Sequence, residues 1–95
     1  MAKLSGMSGD FKGREYPIEQ GEITIGRKAD NMILLDHPTI SSHHCRILRS
    51  GDSCVLQDLD STNGTWHDGE RVASPVPVRI GAPIKVGATT FELRK

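Results

Sequence analysis

Proline at positions 17, 38, 75, 77 and 83 and glycine at 6, 9, 13, 21, 26, 51, 64, 69, 81 and 87 interrupt this chain so often that no window supplies a helix. A helix needs about ten residues with apolar positions three and four apart, and an interior proline removes a hydrogen bond and clashes with the preceding turn. Short strand-like pieces remain. Ile23 and Ile25 alternate with polar neighbours, as do Cys45 and Ile47, Val55 and Leu59 around Gln57, Ile84 and Val86, and Phe91 and Leu93. Turn signals separate them at Ser50-Gly51-Asp52, Asn63-Gly64, Asp68-Gly69, Ile80-Gly81 and Val86-Gly87. Asn-Gly and Asp-Gly suit tight hairpins because both central residues of a type I′ turn need positive φ. Strands this short, with turns about every eight to twelve residues, predict an all-β fold, a two-sheet antiparallel β-sandwich or a small barrel.

At 95 residues the chain has the size of one core, and residues 1–95 are read as a single domain. That length excludes an enzyme with separate substrate and cofactor domains. Twelve Lys and Arg against twelve Asp and Glu leave a formal net charge of zero, so no overall field gathers nucleic acid or an acidic membrane. Any anion bound here must be held by local donors. Cys45 and Cys54 are too few for a disulfide scaffold. With Gly51 and Asp52 closing a hairpin, Cys54 faces Arg49 and lies roughly 13 Å from Cys45, beyond disulfide reach. Both are expected to be buried, reduced thiols, in keeping with a cytoplasmic location. No run approaches the ~20 apolar residues of a membrane span, and Met1-Ala2-Lys3-Leu4 lacks the apolar stretch of a signal peptide.

Residues 27–42 fit the strand plan poorly, since only Met32-Ile33-Leu34-Leu35 suits a strand. A loop of this kind on a rigid sandwich is where binding residues tend to lie. It opens with Gly26-Arg27 and ends in Ser41-Ser42 before His43-His44, and a third cluster follows at Ser61-Thr62-Asn63-Gly64-Thr65. Each cluster alone is ordinary turn chemistry. Taken together, Arg27 offers a planar five-donor fork, Ser41 and Ser42 add rotatable hydroxyls, and Asn63 can donate to and accept from a peptide backbone. Such a set could hold a phosphate without any net basic charge.

The order of these pieces carries more than any one of them. Gly26-Arg27, Asn31-Met32-Ile33-Leu34-Leu35, Ile40-Ser41-Ser42-His43-His44 and Asp58-Leu59-Asp60-Ser61-Thr62-Asn63-Gly64-Thr65 together resemble the signature of the forkhead-associated (FHA) domain. Trp66-His67-Asp68-Gly69-Glu70-Arg71-Val72 resembles the hairpin that follows in that family, and Ile84-Lys85-Val86-Gly87 with Phe91 resembles its closing strands. The resemblance implies an FHA/SMAD-like sandwich of about eleven short strands that binds phosphothreonine peptides through loops at one end. It implies that Arg27 contacts the phosphate, that Ser41 donates its hydroxyl, that Thr62 adds a further phosphate contact and that Asn63 holds the peptide main chain. Ser42 is counted with the phosphopeptide-binding positions; it stands where the family often carries Arg or Asn, and its shorter reach weakens the extra contact those residues add to peptide or phosphate while leaving the main anchor intact. His44 resembles the family's loop-bracing histidine. Gly26 and Gly64 are read as backbone requirements supporting the site.

Other chemistries fail on spacing. His43 and His44 point to opposite faces of a strand, and no Cys-x-x-Cys or His-x-x-x-His spacing is present, so no metal is expected. The run from Asp58 resembles a calcium loop with Gly64 at position seven and Glu70 at thirteen, each one place too late. There is no nucleophile elbow or phosphate loop of the Gly-Lys-Ser/Thr type, so neither enzymatic activity nor a cofactor is expected. The expected partner is a phosphothreonine-containing protein, with no nucleic acid, no membrane and a monomeric domain. The alternative is an FHA-type module that assembles without phosphate, although such a module would usually have lost Arg27, Ser41 or Asn63.

Overall fold

The computed structural model describes residues 2–95 and contains eleven strands: β1 (Ala2–Gly6), β2 (Glu15–Ile18), β3 (Gly21–Gly26), β4 (Ile33–Leu34), β5 (Cys45–Ser50), β6 (Ser53–Asp58), β7 (Thr65–His67), β8 (Glu70–Arg71), β9 (Val76–Pro77), β10 (Pro83–Val86) and β11 (Thr89–Arg94). Met1, the first residue of the amino-terminal stretch considered above, lies outside the described residues. The only helical turn among the described residues is a short 3-10 segment, Gly9–Phe11, and no helix is long and apolar enough to cross a membrane. The strands form two sheets in the orders β2-β1-β11-β10-β7-β8 and β4-β3-β5-β6-β9. All pairs are antiparallel except β3 and β4, which run parallel, with Ile25 opposite Ile33 and Gly26 opposite Leu34.

Local turn chemistry sets several of these registers. Ser50 pairs with Ser53 and Arg49 with Cys54, which puts Gly51 and Asp52 in the hairpin loop as expected. Asp68 and Gly69, at φ 51 and 84, form the tight turn between β7 and β8. Asn63-Gly64 behaves differently from the hairpin turn its composition suggests. Only Gly64 has positive φ, at 86, and the segment carries the chain across from β6 in one sheet to β7 in the other.

The core lies between the sheets. Leu4, Ile18, Ile23, Ile25, Ile47, Leu56, Ile84, Val86, Phe91 and Leu93 are essentially inaccessible to solvent. One strand is out of phase with the sequence pattern. The expected inward pair, Val55 on β6 and Leu59 just after it, is only half-buried, and Cys54 and Leu56 point into the core instead. The cause is register, because Leu56 pairs with buried Ile47, and the pleat then turns every second residue of β6 inward. The same parity directs Asp58, opposite Cys45, toward the interior end of the strand. Both cysteines are free and buried, and burial pushes the Cys45 thiol up to about 12, so it stays protonated.

Candidate functional site

Four connections from both sheets meet at one end of the sandwich: residues 27–32 after β3, residues 35–44 before β5, residues 59–64 between β6 and β7, and the 87–88 turn between β10 and β11. Hydrogen bonds knit them into one body. Arg27 N–H donates to Ser41 O at 3.0 Å and Lys28 N–H to Ser42 O at 3.3 Å, which lays the Arg27 loop along the serine loop. Thr62 N–H donates to Ser41 Oγ at 3.0 Å, and Asn63 Nδ2 donates to Thr39 O at 2.8 Å. Ala88 N–H reaches Thr39 Oγ1 at 3.0 Å, which fastens the last turn to the same loop.

Two glycines permit this closeness for different reasons. A Cβ on Gly26 would lie 2.3 Å from Ser42 O and 2.7 Å from Asn31 Nδ2, inside the contact that joins the loops. At Gly64 the positive φ already disfavours a side chain, and a Cβ there would also strike the Trp66 ring at 2.7 Å.

His44 is the central brace. It is completely buried; Ser41 N–H donates to its Nδ1 at 3.1 Å, and its Nε2 lies 2.8 Å from Gly64 O. Because Nδ1 accepts, the proton must sit on Nε2, which donates to that carbonyl. Burial lowers the His44 pKa below the usual imidazole value, with the Gly64 carbonyl and Asp58 pulling the other way. A neutral ring therefore ties the serine loop to the Asn-Gly loop.

Three contributors were not singled out from sequence as site residues. Asn31 is buried and donates through Nδ2 to Lys28 O and Ser42 O, each at 2.8 Å. Thr39 joins Asn63 and Ala88 as described. Asp58 accepts from Ser61 Oγ at 2.5 Å, Ser61 N–H at 3.1 Å and Thr65 Oγ1 at 2.7 Å, which shapes the start of the 59–64 loop. Burial works to raise the Asp58 pKa, but these donors outweigh it and hold the carboxyl below its ordinary value. An Asp followed three residues later by Ser at a strand end was the available signal for that turn.

Removing the Asp58 carboxylate should cost about 1–3 kcal/mol of folding stability, because the Thr65 hydroxyl is inaccessible to water and loses its acceptor. In the parent, this contribution is fully present above the unfolded Asp value of about 3.9 and is lost as pH falls through the lower folded value. Urea unfolding of Asp58→Ala and parent from pH 7 to pH 3 checks both points; the two curves should converge toward the acid end.

The loops enclose a cavity of about 130 Å³ lined by Arg27, Pro38, Thr39, Ile40, Ser41, Thr62 and Asn63. Of the five expected binding residues, four share this lining. Ser42 does not; its carbonyl is used by Lys28 and Asn31 to hold the loop. Arg27 is exposed and forms no salt bridge among the described residues. Since Ser41 Oγ accepts from Thr62, its own proton remains free to donate, and Asn63 keeps one amide proton and its Oδ1 uncommitted. The site thus gathers unpaired donors around a space below the roughly 300 Å³ of typical small-molecule sites. A larger concavity of about 480 Å³, lined by Ala2, Lys3, Glu15, Pro17 and Lys95, lacks any such convergence of donors.

The FHA domain model matches residues 23–87, a span that includes the first three connections and reaches Gly87 of the fourth. The FHA domain-containing protein FhaB of Mycolicibacterium smegmatis is 36% identical over 86 residues, covering 90% of this chain and 56% of that protein. The chain therefore spans a little over half the length of this relative. A structure from a structural and functional study of phosphothreonine-dependent FHA domain interactions superposes with a TM-score of 0.90 at 30% identity, over 99% of this chain and 95% of the other. Mycobacterium tuberculosis EmbR in complex with a low-affinity phosphopeptide superposes with a TM-score of 0.88 at 34% identity, over 98% of this chain and 24% of the EmbR chain.

Proposed function

We propose that this chain, which belongs to the FHA domain family, is a phosphothreonine-dependent recognition module that holds a phosphorylated segment of a partner protein in the loops at one end of its sandwich. The observation that carries the reading is the Arg27 guanidinium, free of any salt bridge among the described residues, on the same small cavity as the Ser41 and Thr62 hydroxyls and the Asn63 amide. Phosphothreonine brings about −1.5 to −2 charges and three strong acceptor oxygens. The Arg27 fork takes two of them, and the Ser41 and Thr62 hydroxyls serve the third. Asn63 pairs with the peptide main chain beside the phosphorylated residue, while Ser42 contributes through the loop it holds. Gly26, His44 and Gly64 keep the loops in place.

Pro38 and Ile40 supply the apolar part of the lining. A threonine methyl placed there gains about 0.8 kcal/mol over serine, or about fourfold in affinity. The domain reads the phosphate and does no chemistry on it. Its two buried thiols suit a reducing, cytoplasmic setting, and residues 1–95 act as one reader unit.

Calorimetric titration with a degenerate phosphothreonine peptide library, its unphosphorylated counterpart and a phosphoserine version tests the reading. The expected order is phosphothreonine above phosphoserine, with no measurable binding of the unphosphorylated peptides. Binding should weaken as salt rises, because the anchor is a charge at an exposed rim. Equal binding with and without phosphate would assign the module to phosphate-independent assembly.

A further inference from the structure

On the outward face of the six-stranded sheet, the charges of β1, β2 and β11 are paired, while two cations at the β7-β8 end are not. Lys3 meets Glu15 at 2.9 Å and Arg94 meets Glu92 at 2.5 Å. Arg71 and Lys85 form no salt bridge among the described residues. Both lie over Trp66, with Arg71 Cζ 5.7 Å and Lys85 Nζ 5.1 Å from the ring centroid. Strand register creates the arrangement, since Arg71 on β8 and Lys85 on β10 are the cross-strand neighbours of Trp66 on β7. Nearby acids are engaged or on the other side of the pleat: Asp68 pairs with Arg79, and Glu70 is opposite His67, one position out of step with Trp66.

A groove of about 310 Å³ runs beside this row, lined by Trp66, Gly69, Pro83, Lys85 and Thr90. The row reaches toward the loop site, because the far edge of the Trp66 ring lies against Gly64, the chain neighbour of Asn63 in that site's lining. A cation stacked on an indole is held in place while its hydrogen-bond donors stay free. An anionic segment crossing Trp66 therefore meets two positioned positive charges without having to displace a carboxylate.

We propose that this groove is a second contact for the same partner and takes an acidic stretch of the phosphothreonine-bearing protein. The inference rests on the phosphothreonine reading for its occupant. Its own content is that Trp66, Arg71 and Lys85 select for acidic residues outside the phosphate pocket.

The test compares a short phosphothreonine peptide with versions extended by a Glu run before or after the phosphothreonine, and with Gln in place of each Glu. Arg71→Gln/Lys85→Gln removes both charges and keeps much of the side-chain packing. One Glu extension should bind the parent about three- to tenfold more tightly than its Gln twin, the range expected of two exposed ion pairs. The double variant should lose that advantage and still bind the short peptide like the parent. No Glu preference in the parent, or one that survives in the double variant, overturns the proposal. Failure of the short peptide to bind either protein instead overturns the phosphothreonine reading. In that case the unphosphorylated Glu and Gln peptides, followed by Trp66 fluorescence, decide the groove by the same Glu preference. A Trp66 response to phosphatidylserine vesicles but not to Glu peptides, or to protein concentration alone, would assign the face to lipid or to a second copy and overturn it as well.

Discussion

Arg27→Ala should weaken binding of a phosphothreonine peptide about ten- to a hundredfold while leaving the domain as stable as the parent. A hydrogen bond to a charged group contributes roughly 1.5–3 kcal/mol, and each 1.4 kcal/mol is about a decade in affinity. Stability is unaffected because the part of Arg27 that the fold uses is its backbone N–H, which donates to Ser41 O and survives the substitution. The guanidinium itself is exposed and joins no salt bridge among the described residues. Arg27→Lys should fall between the two, since a point charge replaces a two-pronged fork. Calorimetry for affinity and thermal unfolding for stability separate the effects, and an Arg27→Ala protein that binds as tightly as the parent would sink the assignment.

His44→Ala should do the opposite, striking the fold first and binding through it. The change opens a cavity in a fully buried position and leaves Ser41 N–H without its acceptor, a loss of about 2–5 kcal/mol. Gly64 O keeps the Gly87 N–H at 3.2 Å, so that carbonyl is not orphaned. For a domain of this size the melting temperature should drop by at least about 10 °C. His44→Gln, which retains an acceptor and a donor, should recover part of the loss.

The parent should also carry a pH signature of this residue. Folding lowers the His44 pKa, so between the folded value and the unfolded value of about 6.5 the unfolded chain binds a proton that the folded chain refuses. Stability is therefore full above that unfolded value and declines as pH falls through the window toward the folded one. The measurement belongs on the free domain, because the phosphate of a ligand titrates near 6 as well. A stability curve flat from pH 7.5 to pH 5 would contradict the bracing role.

Some of this architecture was legible without coordinates. The Ser50-to-Ser53 hairpin, the Asp68-Gly69 turn and the solvent-free interior positions on β3, β5, β10 and β11 follow from local rules. Two residues can set a turn by their own φ preferences, and alternation sets a strand's faces. The strand β6 shows where that stops. Val55 and Leu59 are as apolar as Cys54 and Leu56, so alternation alone allowed either phase, and pairing of Leu56 with Ile47 decided it. Asn63-Gly64 shows the same limit, because its composition suits a hairpin but its flanking strands belong to different sheets.

The site divides along the same line. Arg27, Ser41, Thr62 and Asn63 were expected together because phosphate chemistry favours those side chains and their order matches a known signature, and the fold places them on one cavity. The bracing roles of Asn31, Thr39 and Asp58 were not read, since, apart from the local Asp58–Ser61 and Asn31–Lys28 bonds, they join groups that are distant in sequence or buried by folding. The outer-face row of Arg71, Trp66 and Lys85 was equally invisible, as its members are brought together only by the register of three strands.

From sequence alone came the all-β class, a length suited to one core, the absence of a polyanion-attracting charge and the residues proposed to bind phosphate, because each depends on composition or on neighbours a few positions apart. Tertiary structure alone decided which face of β6 is core, that one neutral imidazole joins two loops 20 residues apart, and that two cations share one tryptophan. Those depend on which strand lies beside which, and strand pairing is settled by the burial and hydrogen bonding of the whole chain rather than by any stretch of it.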